Sequence, residues 1–223
     1  RCMDCGVPFC HWACPLGNKC PEWNDALYRG KWELAYKILT STNPFPEFTG
    51  RICPALCEKS CVLQLTMHEP TTNREDECAI MERAWQESYI VPCPPEKRTG
   101  KNVAVIGAGP AGLSAAWYLN RQGQTVDVYD ANEKAGGLLR YGIPNFDRRI
   151  HLMEAEGIQF HYGVRVPLRS DSFSMEELEK AIGKHDAYVI ATGPPAARDL
   201  NIPGRELKGG HLALDLLSQQ NRI

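Results

Sequence analysis

Two rhythms of apolar residues divide the chain. The first is helical: Trp32, Ala35, Tyr36 and Leu39 recur at i, i+3, i+4 and i+7, and Leu34 and Ile38 widen the stripe. Asn43-Pro44-Phe45-Pro46 stops that helix, because proline lacks the N–H and disfavours helix in the residue before it. A second helix is predicted over 75–88, with Ile80, Met81, Ala84 and Trp85 on one side. The proline-rich run 91–100 then reads as an extended stretch closed by Gly100. Beyond it the rhythm changes. Short apolar runs at 103–106, 125–129, 158–160 and 187–190 alternate with helical stretches at 110–122, up to about Glu156, and at 175–184. Strands separated in this way by helices build a parallel sheet. The expected architecture is an α-helical domain over 1–91, a linker over 92–101 and an α/β domain with a parallel sheet over 102–223.

Charge narrows the classes of function. The sequence holds 25 Lys and Arg against 27 Asp and Glu, and neither half is biased, so a nucleic-acid surface is not expected. The uncharged run around Val103 and Leu119 is broken by glycines and a proline and does not suit a bilayer span. No secretory signal is visible in a sequence that opens on Arg1. Cysteine is the departure from an ordinary composition: there are 10, and most precede residue 62. With Gly and Pro also frequent, the first segment is expected to be held by something other than a hydrophobic core.

The second domain carries a nucleotide motif. Gly107-Ala108-Gly109-Pro110-Ala111-Gly112 follows a strand and opens a helix, and Asp130 ends the next strand 23 residues after Gly107. Gly107 permits the tight turn, Gly109 lets a pyrophosphate approach the backbone, and Gly112 lets helix and strand pack closely. The helix N-terminus attracts the phosphates. This is a Rossmann-like arrangement. Gly136-Gly137-Leu138 forms a second glycine loop, followed by Gly142-Ile143-Pro144 and, at a later strand end, Ala191-Thr192-Gly193. That combination resembles the flavin domain of flavoproteins with two dinucleotide folds and points to FAD, with Asp130 on the adenosine ribose. Gly163 completes the expected cofactor-binding set.

The cysteines form a ladder of two runs: Cys2-x2-Cys5-x4-Cys10-x3-Cys14-Pro15, and Cys53-Pro54-x2-Cys57-x3-Cys61. The first resembles a bacterial ferredoxin run with two residues inserted before the third cysteine. In two-cluster ferredoxins the fourth cysteine of such a run serves the other cluster. By that logic Cys2, Cys5 and Cys10 serve one cluster, Cys14 serves another, and the second run supplies the remainder. Two [4Fe–4S] clusters need about eight ligands. The ladder supplies seven cysteines, which leaves Cys20, Cys78 or Glu77 as the eighth. Disulfides belong to small secreted domains. Zinc is the main competitor because C-x2-C is a zinc spacing, but zinc sites usually show two short pairs. His11 and Trp12 are expected to pack around the cluster.

The stretches Cys2-Met3-Asp4-Cys5-Gly6-Val7-Pro8-Phe9-Cys10-His11-Trp12, Cys14-Pro15-Leu16-Gly17-Asn18 and Phe45-Pro46-Glu47-Phe48-Thr49-Gly50-Arg51-Ile52-Cys53-Pro54 resemble the small (beta) subunit of glutamate synthase. They are similar also to the equivalent region of fused glutamate synthases. Pro94-Pro95-Glu96-Lys97-Arg98-Thr99-Gly100-Lys101, Gly136-Gly137-Leu138-Leu139-Arg140-Tyr141-Gly142-Ile143-Pro144, Arg198-Asp199-Leu200 and Pro203-Gly204-Arg205-Glu206-Leu207 agree with that resemblance. Dihydropyrimidine dehydrogenase and ferredoxin-dependent transhydrogenase large subunits share the arrangement more distantly.

The resemblance implies a partition of ligands. Cys61 joins Cys2, Cys5 and Cys10, and the second cluster takes Cys14, Cys53, Cys57 and a non-cysteine ligand from the following helix, where Glu77 aligns. Helix geometry agrees, since Ile80, Met81 and Ala84 stand at i+3, i+4 and i+7 from Glu77, which places it on the inward face. Two departures are visible. The family carries a second glycine fingerprint for NADPH, and none follows Gly193, since Gly209-Gly210-His211 is not a G-x-G-x-x-G. The family also has a longer stretch between Asn145-Phe146 and Arg148-Arg149. The chain therefore resembles about the first half of the subunit.

The resemblance also carries an expectation of function. It implies the iron–sulfur and FAD-binding part of an NAD(P)H-dependent oxidoreductase. Such a chain would pass electrons from NADPH through FAD and two [4Fe–4S] clusters to the glutamate synthase large (alpha) subunit, which makes glutamate from glutamine and 2-oxoglutarate. No acid–base residue is nominated, because the cofactors do the chemistry. Neither a nucleic acid nor a membrane is expected as a partner, and the expected setting is cytoplasmic. Two competing readings stand beside it: another enzyme of the same superfamily acting on pyrimidines or ferredoxin, and a non-catalytic zinc-bearing interaction module.

Overall fold

Residues 1–167, 174–194 and 198–220 are described by a computed structural model. The chain divides into two units, Arg1–Val91 and Pro92–Ile223.

The first unit is built from seven helices: α1 (Phe9–Ala13), α2 (Cys20–Tyr28), α3 (Trp32–Thr40), α4 (Pro46–Ile52), α5 (Leu56–Lys59), α6 (Val62–Met67) and α7 (Asn73–Gln86). The prolines that end α3 in the sequence pattern also start α4: Pro46 occupies its first turn, where the missing N–H has no partner to lose. Pro21 does the same for α2. The predicted stripes bury Ala35 and Leu39 from α3 and Ile80, Met81 and Ala84 from α7, joined by Trp23, Phe45 and Phe48. Leu34, expected in the stripe, is exposed. Helices α4 and α7 pack through Gly50, where a Cβ would stand 2.9 Å from the Cys78 backbone nitrogen and 3.0 Å from the Arg74 carbonyl oxygen. That approach brings Thr49 to Glu77, as the site requires.

Among its described residues the second unit holds four parallel strands, β1 (Asn102–Ile106), β2 (Thr125–Asp130), β3 (Gln159–Tyr162) and β4 (Ala187–Ile190), in the order β3-β2-β1-β4. Helices α8 (Pro110–Arg121), α9 (Asp147–Ala155) and α10 (Met175–Ile182) occupy the connections, and α11 (Ala213–Gln220) follows β4. This is the expected Rossmann-like sheet. Ala104, Ile106, Tyr129, Leu178 and Ile182 form a core cluster on it. Among the described residues no helix is long and apolar enough to cross a membrane.

The proline-rich stretch 92–101 is fastened to this unit. Arg98 Nη1 donates to Asn120 Oδ1 at 2.7 Å and to the Gln124 carbonyl at 2.6 Å, and Nη2 donates to the Glu156 carbonyl at 3.2 Å. The Cys93 N–H donates to Glu156 Oε1 at 3.1 Å, and the Thr99 N–H to the Gly123 carbonyl at 2.9 Å. Arg98 therefore ties the entry strand to the ends of α8 and α9. Arg98→Ala leaves these acceptors without their charged donor and is expected to cost about 2–3 kcal/mol, the scale of hydrogen bonds to a charged group. Denaturant unfolding of the second unit measures this, and Arg98→Lys should recover only part of the loss, because an ammonium cannot fork to separated oxygens.

Candidate cofactor sites

The cysteines of the first unit form two groups. Cys2 and Cys5 lie on the irregular N-terminal segment and Cys10 in the first turn of α1. Cys61 caps α6. These four line one cavity, together with Cys20 at the start of α2. Ser60 Oγ donates to the Phe9 carbonyl at 3.2 Å and so ties the second run to the first. Thr71 Oγ1 lies 3.9 Å from the Cys61 sulfur. Burial pushes the Cys2 thiol above its usual range, and the neighbouring Cys20 thiol lowers that of Cys10.

The second group surrounds Cys53, at the C-cap of α4. Burial raises the Cys53 thiol, and the charges of Glu77, Cys57 and Cys14 add to the shift, so these three groups lie within electrostatic reach of Cys53. Glu77 projects from α7 into the interior, 6% exposed. Asn18 Nδ2 donates to its Oε1 at 3.1 Å and Thr49 Oγ1 to its Oε2 at 3.1 Å. Asn18 accepts in turn from Thr42 Oγ1 at 2.7 Å, and Thr49 accepts from Asn43 Nδ2 at 2.8 Å. Burial pushes the Glu77 carboxyl up to about 7 even though both hydrogen bonds favour its charged form. A carboxylate has about four lone-pair sites, so each oxygen keeps capacity for a metal, and a bound cation would reverse the effect of burial.

The donor set fits an iron–sulfur centre. The Asn73 Nδ2 amide is buried without a hydrogen-bond partner and belongs to a residue that lines the cavity of the first cysteine group, a donor of the kind that ligating sulfurs require. Among the described residues no three His, Cys, Asp or Glu side chains converge where a single metal ion would sit. A cluster spaces its ligands more widely, because each sulfur meets a different iron. Cys78, the neighbour of Glu77, lies with its backbone and Cβ against Gly50 of α4. Trp12 is 80% exposed and does not pack around a cluster; its ring meets His11 edge-on. Sequence reasoning does not single out Asn18, Thr49 or Asn73. The first two sit inside the stretches that carry the family resemblance, but a lone Asn or Thr gives no signal until its partner is known.

In the second unit the glycines meet as the motif requires. Gly107 has φ +108°, its N–H donates to the Tyr129 carbonyl at 2.7 Å, and a Cβ there would collide with the Ala191 carbonyl. A Cβ on Gly112 would overlap the Gly107 carbonyl. Gly109 faces open space at the N-terminus of α8, beside Pro110 and Ala111, and leaves its backbone approachable. The second glycine loop lies directly against the first: the Gly136 N–H donates to the Ala108 carbonyl at 2.8 Å, and a Cβ on Gly137 would come within 3.1 Å of Gly109 Cα. Leu138 next to it is exposed. The Ala191 N–H donates to the Ile106 carbonyl at 2.8 Å, bringing Thr192 and Gly193 to the same end of the sheet. The Gly163 N–H donates to the Asn132 carbonyl at 3.0 Å. Asp130 is buried. Its Oδ2 accepts from the Ala108 N–H at 2.6 Å, and its Oδ1 accepts from the backbone and side-chain nitrogens of Asn132, each at 2.8 Å. Asp130 thus clamps the first glycine loop to the turn after β2.

Residues 1–88 match the family model described as dihydropyrimidine dehydrogenase domain II, 4Fe-4S cluster. Residues 101–223 match the one described as pyridine nucleotide-disulphide oxidoreductase. The chain belongs to the pyridine nucleotide-disulphide oxidoreductase family. FAD and 4Fe–4S clusters are the cofactors of such an oxidoreductase joined to a 4Fe–4S domain. Over its whole length this family member is 49% identical to the glutamate synthase [NADPH] small chain of Mycobacterium tuberculosis, covering 46% of that protein. It is 46% identical to the glutamate synthase [NADH] of Schizosaccharomyces pombe, all of this chain matching 11% of that one. Against the glutamate synthase [NADPH] small chain of Bacillus subtilis the identity is 43%, over 98% of this chain and 46% of the other. The chain spans about half the length of the bacterial small chains it matches.

Asp130→Ala removes an acceptor from the ribose position and the clamp on Ala108 together. FAD retention is expected to weaken by roughly 1.5–3 kcal/mol, the range for hydrogen bonds to a charged group. Fluorescence titration with FAD measures it. Undiminished affinity would show that Asp130 does not serve the flavin.

Proposed function

We propose that this chain is the iron–sulfur and FAD-bearing part of a glutamate synthase small subunit. Its task is to carry electrons taken from NADPH, the donor named for its bacterial relatives, toward the large subunit where glutamate is made from glutamine and 2-oxoglutarate. The observation that supports this best is the sorting of the cysteine ladder into two groups, in a chain whose second unit carries a flavin-type glycine site. FAD accepts electrons in pairs as hydride and releases them singly, and 4Fe–4S clusters accept them singly.

The residues of the chain hold and tune these groups. Cys2, Cys5, Cys10 and Cys61 hold one [4Fe–4S] cluster, and Cys14, Cys53, Cys57 and Glu77 hold a second. Asn18 and Thr49 fix the orientation of the Glu77 carboxylate, as outer partners of metal ligands do. A carboxylate in place of a thiolate changes the donor at one iron, and ligand and charge are among the levers on potential. Gly107 to Gly112 present backbone N–H groups and the start of α8 to the pyrophosphate of FAD. Gly136, Gly137 and Leu138, with Gly163 and the segment Ala191-Thr192-Gly193, border the remainder of the cofactor. The helical unit over 1–91 is the electron-transfer domain, 92–101 the connection and 102–223 the flavin domain, working in the cytoplasm.

Two measurements test this. Iron and acid-labile sulfide in the anaerobically purified full-length subunit should approach about eight of each per chain, the content of two [4Fe–4S] clusters, with one flavin. About four of each, or zinc in place of iron, would remove the two-cluster assignment. For Glu77, low-temperature electron paramagnetic resonance of the reduced protein should show one cluster signal altered or lost in Glu77→Ala while the other persists. A silent Glu77→Ala, with Cys78→Ala or Cys20→Ala disturbing a cluster instead, would overturn the carboxylate ligand.

A further inference from the structure

Besides its cysteines and apolar side chains, the cavity of the first cysteine group is lined by Asn24, Thr71 and Asn73. Asn73 stands at the start of α7 and is fully buried. The orientation of its amide follows from its neighbours. The Cys20 carbonyl can only accept, so Asn24, at 2.8 Å, presents its Nδ2 there. The same Nδ2 lies 3.1 Å from Asn73 Oδ1. Asn73 therefore turns its oxygen to Asn24, and its own Nδ2 stands on the other side of the amide. That Nδ2 is buried and has no hydrogen-bond partner among the described residues, whereas buried polar groups are almost always paired. Thr71, two residues earlier and also buried, has its Oγ1 3.9 Å from the Cys61 sulfur. The approach to α7 thus already turns one donor toward a candidate ligand.

We propose that Asn73 is a positioning residue for the first cluster: its amide donates to a sulfur of the cluster held by Cys2, Cys5, Cys10 and Cys61 and raises that cluster's reduction potential. This rests on the two-cluster reading of the proposed function. An amide with its oxygen already engaged has only N–H to offer, and a 4Fe–4S cluster brings sulfur acceptors to the cavity that the residue lines. The effect on potential is electrostatic. A hydrogen bond to sulfur draws off negative charge, and the reduced cluster, with more charge to disperse, gains more from it than the oxidised one.

The test compares the full-length, cluster-loaded subunit with Asn73→Leu and Asn73→Asp in redox titrations followed by low-temperature electron paramagnetic resonance. Leucine has a similar bulk and donates nothing. Aspartate keeps the oxygen that Asn24 needs but, ionised at alkaline pH, has acceptors only. Both variants should keep their iron and shift one cluster toward the oxidised form. The shift is about tenfold for leucine, a fall of about 59 mV for a one-electron couple, and at least as large for aspartate at alkaline pH. The shifted signal should be the one that Glu77→Ala leaves in place. An unmoved potential in Asn73→Leu overturns the proposal, and so does a shift confined to the signal that Glu77→Ala disturbs, because the amide would then serve the second group. Loss of a cluster's iron in both variants also overturns it, because Asn73 would then hold the fold and not tune a cluster. If the leucine variant does not fold, Asn73→Asp alone decides, and a potential equal to the parent's contradicts donation. A parent protein holding iron for one cluster only would instead remove the two-cluster reading, and the iron count separates that failure from the others.

Discussion

The carboxylate of Glu77 is withdrawn from water at the centre of the helical unit, where an ionised group is tolerated only if its lone pairs are occupied. The chain meets that demand with side chains from distant places. Asn18 comes from the turn between α1 and α2, Thr49 from α4, and Thr42 and Asn43, behind them, from the end of α3. Each partner is a neighbour of cysteines: Asn18 follows Cys14 closely, and Thr49 precedes Cys53 by one helical turn. Satisfying one buried carboxylate therefore brings both cysteine runs to α7. Gly50 lets this happen, because any side chain there would hold α4 away from the Cys78 backbone.

Close backbone approach has the same part in the second unit. Gly107, Gly112 and Gly137 stand where a Cβ would strike a backbone atom beyond β4, of the first loop itself or of Gly109. Removing those side chains leaves the N-terminus of α8 bordered by peptide groups only, and a phosphate is drawn to such a surface by N–H dipoles without needing a basic residue. Asp130 adds a constraint from the opposite side by holding the Ala108 N–H. One aspartate thus orders the loop with one oxygen and holds Asn132 in the turn after β2 with the other.

The two cysteine groups meet different polar neighbours. The Thr71 hydroxyl lies 3.9 Å from the Cys61 sulfur, and Asn73, whose buried amide has no hydrogen-bond partner, lines the same cavity. Beside Cys53 the polar neighbour is the Glu77 carboxylate, held by Asn18 and Thr49. Hydrogen bonding at sulfur and net charge are levers on cluster potential, so sulfurs of like chemistry sit in unlike fields.

Periodicity and spacing alone determined much of this protein. The stripe of α7, the alternation of strands and helices after residue 101 and the glycine fingerprint with Asp130 were legible because each depends on residues close in sequence, where local geometry decides the outcome. The cysteine ladder announced iron–sulfur ligation for the same reason. Reading Pro46 only as a stop hid α4, since proline ends one helix and begins the next with equal ease. Other features needed the folded chain. Cys20 stands in the sequence as one of three candidates for an eighth ligand; only the folded chain buries it in the cavity of Cys2, Cys5, Cys10 and Cys61. Arg98 reads as one charge in a proline-rich connection until the ends of α8 and α9 present their oxygens to it. Asn18 and Thr49 become partners of Glu77 only across separations of 59 and 28 residues. The sequence by itself determined which elements form and which chemistry they carry, because those depend on short-range geometry. Tertiary structure decided which polar groups share a proton, because a hydrogen bond depends on distance in space and not along the chain.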